Sequence, residues 1–134
     1  MAIQLGTTLR NAMIGQYETT VGTSAKLQIR TGAAPANCAA ADSGTLLAEL
    51  TLPSDWMTAA ASGAIAKNGT WSGTGAAAGT AAHYRLKDSA GSVCHEQGTV
   101  TATGGGGDLT LDNTSIASAQ AVTITSWDRT QGGA

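Results

Sequence analysis

Apolar residues near the start of the chain recur at steps of three and four. Leu5, Leu9, Ala12, Met13, Tyr17 and Val21 fall on one stripe of an α-helix. Thr7 or Thr8 is placed to cap its start and Gly22 to end it in the left-handed conformation, which predicts a helix within residues 1–22. Such a stripe docks on its own domain or against a neighbouring subunit. Leu9, Met13 and Tyr17 are the candidate contact residues of the second arrangement.

From Ala25 the period changes to two. Ala25, Leu27 and Ile29 alternate with Lys26, Gln28 and Arg30, and a second alternation runs from Leu46 to Leu52 before Pro53 stops it. An Ala-rich loop with Pro35 and Cys38 lies between them. Asn68-Gly69, between AIAK and TWSG, predicts a hairpin. Ala82, Tyr84 and Leu86 alternate with His83, Arg85 and Lys87, Asp88–Gly91 turns the chain, and Val93 to Val100 returns. Gly104 to Gly107 reads as a mobile loop tip. Leu109 and Leu111 open a short strand, Val122 to Trp127 forms the last, and residues 129–134 read as a polar tail. The pattern predicts a single domain over 1–134. It is mainly β: an antiparallel β-sandwich or jelly-roll-like domain of about seven or eight short strands over 25–128, with one N-terminal α-helix.

Composition thins the core this fold can have. Hydrophobic residues make up 42% of the 134, but 26 of them are alanine, and there is no Phe, with three Trp and two Tyr. Trp56, Trp71 and Trp127 are therefore either the few large core plugs or, for Trp56 and Trp127, anchors of an interface. The net charge of −2 speaks against a phosphate-binding surface, so no nucleic-acid partner is expected. No apolar run has the ~20 residues a membrane helix needs. The opening MAIQLGTTLRNAMIG lacks the basic and apolar regions of a secretory signal, which points to synthesis and use in the cytoplasm or export inside a particle.

Candidate chemistry is sparse. Cys94-His95-Glu96 and His83 are the one cluster of metal-capable side chains, and strand alternation predicts Cys94 and Glu96 on one face and His95 on the other. With His83 facing His95, two ligands result, where a structural zinc site needs four. No Cys–His nucleophile, G-x-S-x-G elbow or phosphate loop is present, so no catalytic residue, cofactor or metal site is expected. Cys38 and Cys94 are the two cysteines, and read either as free thiols or as a disulfide formed outside a reducing cytosol.

Two stretches carry a resemblance: AKLQIRTGAAPANCAAADSGTLLAELTLPSDW from Ala25 to Trp56, and GGDLTLDNTSIASAQAVTITSW from Gly106 to Trp127. With the opening LRNAM helix they resemble a family of small virion proteins of tailed bacteriophages. Its members share a short helix, an I-R/Y-x-G strand, an LLAxLTL strand and a closing LTLxNTSIxxGQxVTITSF segment. This chain has Ala119 where glycine is usual and Trp127 where Phe is common. The resemblance implies a structural protein of the virion, made in the bacterial host cytoplasm, with no catalytic residues to carry over. It implies a capsid decoration (cement) protein, a homo-oligomer partnered by phage structural proteins, first among them the major capsid protein. A tail- or head-fibre module that binds the host surface is the alternative.

Overall fold

The computed structural model describes residues 3–134, so the first two residues of the expected helical segment lie outside the described residues. The protein is mainly β, with one N-terminal helix and several strands in a curled sheet. Helix α1 spans Thr7–Val21. Neither Thr7 nor Thr8 caps it: both lie in its first turn, after an extended Gly6 without a side-chain cap. Gly22 ends the helix with φ 96° and ψ 174°, a positive φ but not the left-handed helical conformation, and its N–H donates to Glu18 O at 2.8 Å.

The docked face of α1 is turned from the expected stripe. Arg10 and Val21 are buried, and Ile14 and Tyr17 pack on the core, whereas Leu9 and Met13 are 52% and 44% exposed. Positions 10, 14, 17 and 21 are also spaced at three and four, so apolar periodicity alone left two neighbouring faces in competition. Polar anchors decide between them. The Arg10 guanidinium donates to Ser62 O at 3.2 Å, Asn11 Oδ1 accepts from the Gly63 N–H at 2.8 Å, and Glu18 Oε1 accepts from the Trp56 N–H at 2.7 Å.

Five strands form the main sheet: β1 (Lys26–Arg30), β2 (Leu46–Thr51), β6 (His83–Lys87), β7 (Cys94–Ala102) and β8 (Leu109–Leu111), in the order β2-β1-β6-β7-β8. The expected strands β1, β2 and β6 and the β6–β7 hairpin are all present, and the alternation of β2 is interrupted at Leu47, which is buried together with Ala48. Central β6 is buried along its whole length. Tyr84 and Leu86 join the core cluster, while Arg85 is covered by the loop before β2, donating to Cys38 O at 2.8 Å and Ala40 O at 3.1 Å.

The remaining strands are β3 (Ala64–Ala66), β4 (Trp71–Thr74), β5 (Gly79–Thr80), β9 (Ser115–Ile116), β10 (Ala121–Ile124) and β11 (Asp128–Thr130). Eleven strands among the described residues exceed the expected seven or eight, because several are only two to four residues long. The Asn68-Gly69 hairpin does not form. Gly69 has the expected positive φ of 73°, but β3 pairs with β11 and β4 with β10. The chain after Trp127 is not a free polar tail either: β11 completes a ladder, Gln131 N donates to Gly63 O, and Leu5 N donates to Gly133 O.

The sheet is not wholly antiparallel. β8 runs parallel to β7, Val100 opposite Leu109 through Ala102 opposite Leu111, and only residues 103–108 join them. Parallel neighbours normally need a crossover of a dozen residues or more. The four glycines make the short return possible. Gly104 and Gly106 take φ of 88° and 80°, and a Cβ on Gly105 or Gly107 would sit 2.7–2.8 Å from Thr101 Oγ1. The segment folds back onto β7, with Gly107 N donating to Thr101 Oγ1 at 3.0 Å.

Candidate functional site

All five aromatic residues of the chain follow one another in a curved series of neighbouring rings through the core. Ring centroids are 5.7 Å apart from Tyr17 to Trp56, 5.8 Å to Trp71, 5.5 Å to Trp127 and 5.1 Å to Tyr84, within the range of favourable aromatic pairing. The two tyrosines at its ends meet on Glu96. Tyr17 Oη donates to Glu96 Oε2 at 2.7 Å and Tyr84 Oη to Oε1 at 2.6 Å. Arg129 completes the set, Nε donating to Oε2 at 3.1 Å and Nη2 to Oε1, with its guanidinium 4.2 Å over the Trp127 ring.

Each Glu96 oxygen thus accepts two donors. Burial alone would raise the Glu96 carboxyl, but the hydrogen bonds from Arg129, Tyr84 and Tyr17 outweigh it and hold the group below the usual glutamate value. Burial, followed by the field of and bonding to the same carboxylate, raises both tyrosines above their ordinary value. Burial disfavours the Arg129 cation, yet Glu96 more than compensates and keeps it firmly charged. Four hydrogen bonds from three residues converge on one carboxylate and tie helix, sheet and C-terminal strand together. Gly98, opposite Tyr84 in the ladder, makes room: a Cβ there would lie 2.8 Å from Asp108 Oδ2 and 2.9 Å from the Tyr84 hydroxyl.

A second polar cluster lies on the other face of β6. Asp42 receives Arg85 Nη1 at 2.5 Å, Lys87 Nζ at 2.6 Å and Arg30 Nη2 at 3.1 Å. Burial raises its carboxyl, but the bonds from Lys87 and Arg85 prevail and lower it. Beside it the sulfurs of Cys38 and Cys94 are 2.7 Å apart, both residues half-buried and carried as free thiols. Burial and then the Cys94 contact push the Cys38 thiol up to about 11.

Strand alternation misplaced Cys94 and Glu96. A bulge in β7 sets Glu96 opposite Leu86 and Cys94 opposite Lys87, with His95 as the extra residue. Cys94 consequently joins Cys38 by Arg85, whereas Glu96 joins Tyr84. His83 does not face His95. It pairs with Thr99 and its Nδ1 donates to Gly32 O at 2.7 Å, while His95 is exposed beside Met13 and Tyr17. Among the described residues no three His, Cys, Asp or Glu side chains are grouped to hold a metal ion.

Of the candidate interface residues, Trp56 and Trp127 are buried core plugs and cannot act as exposed anchors in this fold. Tyr17 is committed to Glu96 and Trp56, which leaves Leu9 and Met13 on the outer face of α1. Sequence reasoning passed over Asp42 and Arg129. For Asp42 a signal existed: Arg30, Arg85 and Lys87 are the polar positions of two strands and share one sign, which calls for an acidic cover. No described helix is long and apolar enough to cross a membrane. Comparison with protein-family models, with curated proteins and with solved structures finds no match to any of them.

Proposed function

We propose that the protein is a non-enzymatic structural protein of a tailed-bacteriophage virion, acting as a capsid decoration (cement) protein. The observation that carries this reading is at Ala119. It is the position where the resembling family usually has glycine, and here the backbone takes φ 66°, the region glycine occupies without strain. A substitution that breaks the pattern at the residue whose conformation explains the pattern supports the resemblance. In this reading the five-stranded sheet and its shorter ladders make up a β-sandwich or jelly-roll-like body. Leu9 and Met13, exposed along α1, supply contacts to the major capsid protein or to a second copy of the chain. Each contact is small, and many copies acting together stabilise the shell.

The test is copy number in purified particles, by quantitative gel against the major capsid protein and by cryo-EM. Hundreds of copies at icosahedral positions are expected. A few to some dozens at a vertex or along the tail would replace decoration with a tail- or head-fibre role, and absence from the particle would end both.

A further inference from the structure

We propose that Cys38 and Cys94 form a thiol–disulfide exchange site that, on reaction with a small-molecule disulfide, closes into a bond fastening the loop before β2 to the start of β7. The two residues are 56 apart in sequence, yet the fold sets their sulfurs 2.7 Å from one another. Closure to a disulfide of about 2.05 Å requires a movement of well under 1 Å. The flanking backbone is already held for it. Cys38 O accepts from Arg85 Nη2, Asp42 four residues on is bound by Arg30, Arg85 and Lys87, and the β7 bulge turns Cys94 towards the loop. Nor is the pair sealed in. It lines a polar cleft of about 300 Å³ with Asp42, Arg85, Lys87 and Ser92, so a small disulfide can reach the sulfurs.

The exchange balances without a metal or enzyme. One protein thiolate attacks a sulfur of oxidised glutathione, breaking its S–S bond and releasing one glutathione thiolate. The second protein thiolate attacks the resulting mixed disulfide and expels the other glutathione. Two electrons pass from the protein sulfurs to glutathione, and the two thiol protons end on the two glutathione molecules. In a reducing cytosol the pair stays as thiols, and on release into an oxidising medium it closes.

The experiment equilibrates the folded, full-length chain with oxidised and reduced glutathione, traps free thiols by alkylation and maps peptides without reduction. In oxidising mixtures a Cys38–Cys94 cross-linked peptide lighter by two hydrogens is expected, together with a rise in Tm on the order of 10 °C. Cys38→Ser should abolish the rise and leave glutathione on Cys94. Full alkylation of both cysteines, or a separate glutathione on each, in oxidising buffer overturns the proposal. The peptide map of the unaltered chain decides it even where a variant fails to fold.

Discussion

Ala119 holds a left-handed backbone with φ 66°, where a Cβ crowds the neighbouring carbonyl oxygen. Its N–H donates to Gly75 O at 2.8 Å, so the turn cannot relax without losing that bond. Ala119→Gly should therefore stabilise the protein by about 0.5–1 kcal/mol, strain relief exceeding the added freedom of the unfolded chain. Urea unfolding of the two proteins checks it; an unchanged or lower midpoint would show that the turn carries no strain. At this scale the sequence was legible where side chains repeat and opaque where one polar group decides. Spacing left Leu9 and Met13 either docked on the domain or turned to a neighbouring subunit, and only Arg10, Asn11 and Glu18 finding partners on the 55–63 segment turn them outward.

At the level of elements, local signals were sufficient for β1, β2 and the β6–β7 hairpin, where period-two alternation and Asp88–Gly91 agree with the final pairing. They failed at β3 and β4, whose partners β11 and β10 lie 62–66 and 47–53 residues away along the chain. A turn dipeptide fixes a local bend, not which strand is hydrogen-bonded to its flanks. The C-terminal strand was misread for a related reason. Asp-Arg-Thr is polar, but Arg129 is drawn in by a carboxylate on a distant strand. Deleting residues 128–134 should then be severe rather than neutral, removing the partner of β3 and leaving Glu96 without its cation, a loss of about 3 kcal/mol or more. Limited proteolysis and urea unfolding would register it, and wild-type behaviour of the shortened chain would return the segment to the status of a tail.

Across the whole molecule, four carboxylates have a lowered pKa, Asp42, Asp88, Glu96 and Asp108, and of these Glu96 and Asp42 are the two held by ion pairs. Glu96 titrates at 4.5 when unperturbed and lower in the fold. Its contribution to stability is fully present above that value and is lost as pH falls through the folded value. Asp42, unperturbed at 3.8, behaves the same way over a lower window. Glu96→Gln should lower stability at pH 7 by about 3 kcal/mol, because Arg129 is left uncompensated. It should also flatten the upper part of the acid-induced fall in Tm. Tm measured from pH 7 to pH 2 for both proteins is the check, and an equally steep fall in the variant would assign the acid response elsewhere. The series of five neighbouring aromatic rings carries a last consequence, for light. All three tryptophans are buried and adjacent, so excitation absorbed by one is shared with its neighbours, and their emission behaves as one blue-shifted signal. A partner binding along Leu9 and Met13 would scarcely alter that signal, whereas unfolding would shift it to the red as one event, making the protein's fluorescence a gauge of its integrity and blind to its attachments.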